Sequence, residues 1–139
     1  MVGIVVVGHG RVAEAMVQAL ESVLGPVDGL EAVATEAGDT PEAVRGRIAA
    51  AARRVDRGRG VIILTDMLGD TATNQSLALA REGTVAVEVV AGVNMPILIK
   101  LTTARGKMDA HHLAEFIRRY GQEHIIWATE PAVATRQVR

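Results

Sequence analysis

The stretch VGIVVVGHGR, at residues 2–11, joins an apolar run rich in β-branched side chains to a histidine between two glycines. An apolar run without polar alternation is typical of a strand buried on both faces of a parallel sheet. Gly8 and Gly10 interrupt the run, and residues 12–24 (VAEAMVQALESVL) then repeat apolar side chains at helical spacing. The stretch therefore predicts a buried first strand that leads directly into an amphipathic helix.

Strand and helix patterns alternate along the rest of the chain, which predicts an α/β fold. We expect an open, mainly parallel, doubly wound sheet of order 2-1-3-4, with helices on both faces and a short C-terminal strand, either at the sheet edge or exchanged. Further strands are predicted at residues 30–35, 61–64, 85–91 and 124–128. Further helices are predicted from Thr40-Pro41 to about residue 56 and at residues 74–82, 96–104 and 109–120, with Gly121 closing the last one.

Length and composition exclude several classes of protein. The 139 residues fit one domain, predicted at residues 1–128, followed by a polar tail at residues 129–139. The absence of cysteine excludes a disulfide framework, a zinc–thiolate site and a thiol nucleophile. With 15 basic and 16 acidic side chains there is no global basic field for nucleic acid. No apolar stretch approaches the ~20 residues of a membrane span, so we expect no membrane insertion and a cytoplasmic location.

A histidine and an aspartate follow two strands that the predicted sheet places side by side. Such sheets bind ligands at the carboxyl ends of their strands, beside the point where the strand order reverses. In the order 2-1-3-4 that point lies between strands 1 and 3, so His9 and Asp66 should face each other. A carboxylate that accepts the N–H of one ring nitrogen fixes the tautomer and leaves the other nitrogen as a nucleophile. We therefore predict His9 and Asp66 as the catalytic pair.

The neighbouring turns carry groups suited to a phosphate. The helix that begins after Gly10 offers free N–H groups and a partial positive charge to an anion, and Arg11 adds a charged donor. A second strand-to-helix turn contains Gly69 and Thr71, whose backbone N–H groups and hydroxyl can face an oxyanion. The other histidines lie on a predicted helix or at the start of the last strand, so no metal site is expected.

The same turn also matches the dinucleotide-binding fingerprint, as Gly8-x-Gly10-x-x-Ala13. Against that interpretation, the chain is too short for two mononucleotide-binding halves, and His9 would crowd a pyrophosphate. We therefore expect no nucleotide and no other cofactor.

Three segments together resemble the mannose-family IIA domains of the bacterial sugar phosphotransferase system. These segments are VVVGHG at residues 5–10, LTD followed by GDTATN at residues 64–66 and 69–74, and VAGVNMP at residues 90–96. The similarity runs from the first strand to about Ala128, and Ala-Gly-Val-Asn-x-Pro is its most specific part.

This resemblance implies a phosphocarrier. His9 would accept a phosphoryl group at Nε2 from phospho-HPr and pass it to a IIB protein or domain, with Asp66 as the orienting aspartate. Thr71 stands where the family has its phosphate-loop serine. The family is typically homodimeric, in some members through an exchanged C-terminal strand, which would place residues 124–128 at the interface.

The chain departs from the family pattern in the loop after the third strand. Asp70 replaces a glycine and adds a negative charge close to the expected phosphoryl group, where like charge opposes phosphorylation unless the side chain points to solvent. Leu68 occupies the position of a loop tryptophan. Two other functions stay open: a small tetrapyrrole metal chelatase, which shares a similar turn after its first strand, and a regulatory module whose phosphorylation state is its output.

Overall fold

The computed structural model describes residues 1–131, which form four strands and five helices in strict alternation until the last helix. In chain order they are β1 (Gly3–His9), α1 (Val12–Leu24), β2 (Leu30–Thr35), α2 (Pro41–Val55), β3 (Val61–Thr65), α3 (Thr71–Glu82), β4 (Val87–Ala91), α4 (Met95–Ala104) and α5 (Ala110–Glu123).

The four strands form one parallel sheet of order β2-β1-β3-β4, which confirms the predicted fold class and strand order. The register aligns the carboxyl ends of the strands: Val7 lies opposite both Val33 and Thr65, and Thr65 lies opposite Ala91. The loops that leave β1, β3 and β4 therefore emerge along the same edge of the sheet.

The core lies on both faces of the sheet, as the unbroken apolar run of β1 predicts. Ile4 and Val6 point to one side, where α1, α4 and α5 pack, and Val5 and Val7 point to the other side, against α2 and α3. All four side chains are fully buried. The buried sheet fixes the end of β1, and His9 is the first exposed residue after six buried ones.

Short polar side chains define most helix starts. Thr40, Asn94 and Asp109 each accept a hydrogen bond from a backbone N–H three residues on, at 3.1, 3.0 and 2.9 Å. These caps confirm the predicted starts of α2 and α5, and α4 begins one residue before its predicted start. Helix α3 begins at Thr71, three residues before the prediction, because Asp70 caps it through the N–H of Thr73 at 2.8 Å.

The predicted C-terminal edge strand is wrong for a single chain. Within residues 1–131, residues 124–128 pair with no strand, and β4 remains the sheet edge. Helix α5 also continues through Gly121 to Glu123, so Gly121 does not close it. A Cβ at position 121 would lie 2.9 Å from the side chain of Ile97, so this glycine serves the close packing of α5 on α4.

The start of β4 differs from its predicted position, and the predicted end of the domain stays untested. Strand β4 begins at Val87 and not at Val85, because pairing with β3 starts at Val61. The predicted tail at residues 129–139 extends past the described part of the chain, so the domain boundary at residue 128 stays a prediction. Among residues 1–131, no helix combines the length and apolar character needed to cross a membrane.

Candidate functional site

The ends of β1 and β3 bring His9 and Asp66 together. Val7 pairs with Thr65, and the backbone N–H of Asp66 donates to the carbonyl of Val7 at 3.1 Å. His9, the last residue of β1, and Asp66, the first residue after β3, are therefore neighbours. The expectation that the two loops face each other is confirmed.

One oxygen of Asp66 holds His9 at two points. Oδ2 accepts the backbone N–H of His9 at 3.0 Å and lies 2.7 Å from its Nδ1, while Oδ1 accepts the N–H of Met67 at 3.0 Å. A carboxylate accepts and does not donate, so Nδ1 carries a proton. Within residues 1–131, no group hydrogen-bonds Nε2, and the His9 side chain is 52% exposed. The ring thus presents Nε2 outward.

The electrostatics of the pair favour the ion-paired state. The hydrogen bond and the charge of Asp66 raise the pKa of His9 above its ordinary value, with a smaller contribution from Asp70 and a small opposing effect of burial. Burial alone would raise the pKa of Asp66, but the hydrogen bonds from the ring and backbone of His9 bring it below its ordinary value. Asp66 is therefore ionised at neutral pH, as an orienting carboxylate requires.

Asp70 supplies a second carboxylate at the same ring nitrogen. Its Oδ1 caps α3, and its Oδ2 lies 3.5 Å from Nδ1 of His9. Only 10% of the Asp70 side chain is exposed, so it does not point to solvent. The charge that the sequence placed near an expected phosphoryl group is thus directed at Nδ1 by its capping role.

Two buried threonines hold the loop that carries both aspartates. Thr73 Oγ1 donates to the carbonyl of Met67 at 2.6 Å and lies 2.7 Å from Thr65 Oγ1. Because the Thr73 proton is already used, Thr65 is the donor between the two hydroxyls. Sequence reasoning missed this pair, although a threonine at a strand end and another after a helix cap are the visible signal.

The structure brings Thr71 towards His9. Both residues line a cleft of about 280 Å³ whose other wall is formed by the chain that follows β2, including Gly38 and Asp39. Gly69 has a φ of +89°, which permits the sharp turn before α3.

Gly10 and Arg11 occupy the turn between β1 and α1. Gly10 has a φ of +53°, and its N–H donates to the carbonyl of Thr35 at 2.9 Å. Arg11 lies at the exposed N-cap position of α1, and among residues 1–131 its guanidinium forms no ion pair. Its side chain does not line the cleft beside His9.

The other three histidines lie on α5 or directly after it, and each contacts a partner away from His9. His111 lies 3.1 Å from a carboxylate oxygen of Glu88, and His112 lies 2.8 Å from its own helix cap, Asp109. His124 stacks on Tyr120 and contacts its carbonyl at 2.7 Å. In the described part of the chain, none of them joins His9, so the second histidine that a chelatase site needs is not supplied there.

His9, Asp66 and Asp70 offer atoms of the kinds that bind divalent cations, all within 4.8 Å of one another. The 2.7 Å between Nδ1 and Asp66 Oδ2 is a hydrogen-bond distance. Ligand atoms at ~2.0–2.1 Å from a tetrahedral zinc ion would be roughly 3.3 Å apart. The geometry is therefore that of a hydrogen-bonded histidine with two acidic neighbours.

A family model described as PTS system fructose IIA component, where PTS is the phosphotransferase system, matches residues 3–118. The chain belongs to this IIA family. Its match includes the strands, the glycine-flanked histidine and the loop with both aspartates, which together form the site described above.

Known proteins of the same system resemble this IIA chain at low identity. The mannose-specific EIIAB component of Escherichia coli (strain K12) is 28% identical over 104 residues, which are 75% of this chain and 32% of that protein. The chain thus spans about a third of the length of that relative. The fructose-specific EIIA component of Bacillus subtilis (strain 168) is 23% identical over 123 residues, 88% of this chain and 84% of that protein.

A solved structure shares the architecture of this IIA chain. The phosphotransferase system component EIIA from Streptococcus agalactiae superposes with a TM-score of 0.82 at 25% identity, covering 91% of this chain and 96% of that one. The chain accordingly has the sequence signature of the IIA family and shares the fold of this EIIA component.

Proposed function

We propose that this IIA protein is a phosphocarrier that accepts a phosphoryl group from phospho-HPr on Nε2 of His9 and passes it to a IIB protein or domain. The observation that carries the proposal is the double hold of Asp66 on His9, at the backbone N–H and at Nδ1. This hold fixes the ring and its tautomer and leaves Nε2 accessible at the carboxyl edge of the sheet.

His9 is the one residue of this protein that forms a covalent bond to the phosphoryl group. When His9 is charged, the proton on Nε2 first leaves to solvent. The Nε2 lone pair then attacks the phosphorus of the donor phosphohistidine, the new N–P bond forms as the donor N–P bond breaks, and that electron pair returns to the donor ring. The proton stays on Nδ1 throughout, hydrogen-bonded to the Asp66 carboxylate, which stabilises the positive charge that develops on the ring. Transfer to a IIB partner repeats the step in the opposite direction.

The turn around His9 contains the groups that would face the phosphoryl oxygens. We assign this role to the Thr71 hydroxyl and to the backbone N–H groups at Gly69 and at the start of α3, where the helix dipole favours an anion. Gly10 lets the chain turn into α1, and Arg11 is exposed beside that turn, where it would meet the approaching donor.

The exposed C-terminal segment supports a homodimer. Ile125 and Trp127 are 81% and 69% exposed, which is unusual for side chains of their size. The outer edge of β4 has no neighbouring strand within residues 1–131. We propose that residues 124–128 of each subunit add a strand to the partner's β4, so that the predicted strand forms only in the dimer.

A non-transferring regulatory module would use the same phosphorylated His9, and onward transfer of the label to a IIB protein distinguishes the proposed carrier from it. The chelatase alternative would need a second histidine beside His9, and residues 1–131 bring none there. The proposal therefore keeps His9 as a phosphoryl acceptor.

Labelling with phospho-HPr tests the proposal. Wild-type protein should become an acid-labile, alkali-stable phosphoprotein, and His9→Ala should lose the label. His112→Ala is the matched control, because His112 is an exposed histidine that also contacts an aspartate, and it should label like the wild type. Undiminished labelling of His9→Ala would overturn the proposal.

A further inference from the structure

Asp70 is placed so that its two oxygens do different things. Oδ1 caps α3 through the N–H of Thr73 at 2.8 Å. Oδ2 is buried and makes no hydrogen bond to any group of residues 1–131, and it lies 3.5 Å from Nδ1 of His9. The carboxylate is therefore held rigidly by one oxygen and directed at the histidine by the other.

We propose that Asp70 is a second positioning residue for His9, which together with Asp66 keeps the proton on Nδ1 and sets the pH range in which Nε2 can accept a phosphoryl group. This inference rests on the proposed phosphoryl transfer.

Burial gives Asp70 its influence. A buried carboxylate oxygen without a partner costs free energy, and that cost falls when a donor or a positive charge faces it. The Nδ1–H of His9, at 3.5 Å from Oδ2, is such a group. Asp70 therefore favours the states of His9 in which Nδ1 carries a proton, and it disfavours the tautomer in which Nδ1 would be the nucleophile.

Charged side chains of the neighbouring elements also surround His9. Glu36 and Asp39 line the cleft from the chain after β2, and Arg47 of α2 pairs with Asp39. Arg11 lies at the start of α1. Asp39 is thus largely neutralised by its own partner, whereas Asp70 has no arginine or lysine partner in the described residues.

The consequence for transfer has a definite sign. Both aspartates raise the pKa of His9, Asp66 most strongly. A charged His9 must release the Nε2 proton before it can attack, so acceptance of the phosphoryl group rises as the pH passes through that raised pKa. Removing the charge of Asp70 lowers the pKa of His9. The pH range over which phosphoryl acceptance rises then moves to lower pH.

Asp70→Asn and Asp70→Ser test the inference, because asparagine and serine both retain an acceptor for the helix cap. The matched control is Asp109→Asn, which neutralises the cap of α5 in the same way but lies beside His112. The nitrogen resonances of the His9 ring are followed by ¹⁵N-edited NMR as a function of pH in the unphosphorylated protein. Acceptance from phospho-HPr is then measured over the same pH range.

In both Asp70 variants, His9 should titrate at lower pH than in the wild type, and phosphoryl acceptance should begin at correspondingly lower pH. Asp109→Asn should change neither measurement. An unchanged His9 titration in both Asp70 variants would overturn the inference. Stoichiometric binding of Zn²⁺ at the His9 ring of the wild type, lost in Asp70→Ser, would also overturn it and make the cluster a metal site. The titration needs no phosphoryl donor, so a wild type that fails to accept phosphate defeats the proposed function separately.

Discussion

His9 donates its backbone N–H to Asp66 Oδ2 at 3.0 Å, and its Nδ1 lies 2.7 Å from that same oxygen. The backbone N–H that makes this bond lies at the end of β1, so the bond fixes the position of the ring relative to the sheet. The side-chain bond fixes the orientation of the ring about that anchor. A single carboxylate oxygen therefore determines both where His9 lies and which ring nitrogen is free.

The first prediction concerns removal of the Asp66 charge. Asp66→Asn should lower the pKa of His9, because the hydrogen bond and charge of Asp66 are the main causes of its elevation. Phosphoryl acceptance should slow by about 10²–10⁴-fold, since the ring loses its orienting carboxylate. NMR titration and rapid-quench labelling measure the two effects, and unchanged rates would contradict an orienting role.

The same ion pair predicts how folding depends on pH. The pKa of Asp66 is lowered in the folded protein, so its contribution to stability is present above the ordinary aspartate pKa and is lost as the pH falls through the lowered value. The raised pKa of His9 contributes below its ordinary value and is lost as the pH rises through the raised one. Urea unfolding of wild type and Asp66→Asn should therefore converge at strongly acidic pH. A constant difference in unfolding free energy across the pH range would contradict this linkage.

The threonine pair under the loop should contribute measurably to stability. Thr73→Val keeps the shape of the side chain but removes the partner of the Met67 carbonyl and of the buried Thr65 hydroxyl, which costs about 1–3 kcal/mol. Thr71→Val, at an exposed position two residues away, should change the free energy of unfolding by less than about 0.5 kcal/mol. Equal effects in denaturant titrations would mean that the buried network contributes nothing.

Two glycines should respond to alanine with opposite signs. A Cβ at Gly3 would clash with the carbonyl oxygen of Val55, so Gly3→Ala should destabilise the protein by about 1–3 kcal/mol. Gly46 lies in exposed helix with open space around it, so Gly46→Ala should stabilise by about 0.5–1 kcal/mol. Thermal unfolding of both variants measures the contrast, which a destabilised Gly46→Ala would contradict.

The proposed strand exchange predicts a dimer that one charge can weaken. The wild type should sediment as a dimer, and Ile125→Asp should shift it towards monomer because the charge would be buried against the partner's sheet. Val23→Asp is the control, since Val23 is 64% exposed but lies on α1. A monomeric wild type, or equal loss of dimer in both variants, would contradict the exchange.

Most of the fold follows from local sequence because its signals agree with one another. The apolar run of β1 has no polar face, and burial on both sides is the arrangement that suits it. Thr40 and Asp109 carry short acceptors at positions where helices need them. The segment 124–128 misled the prediction because its β-branched residues indicate a strand, whereas a strand also needs a neighbour, which one chain does not provide.

The site was predictable as far as the register of the sheet determines it. Parallel pairing of β1 with β3 is enough to place His9 beside Asp66. The role of Asp70 depends on the start of α3, because only an N-cap residue turns its side chain back towards the loop. Once α3 is predicted to begin at Asn74, Asp70 becomes an unassigned loop charge, and its approach to Nδ1 cannot be foreseen.

The central claim is that Nε2 of His9 carries the phosphoryl group while Nδ1 keeps its proton and donates it in a hydrogen bond to Asp66. NMR of ¹⁵N-histidine-labelled protein, phosphorylated with phospho-HPr, tests this directly by showing which nitrogen is coupled to phosphorus. The account predicts coupling to Nε2 of His9, with a protonated Nδ1 in the same ring. A phosphoryl group on Nδ1 of His9, or on any other residue, would contradict it.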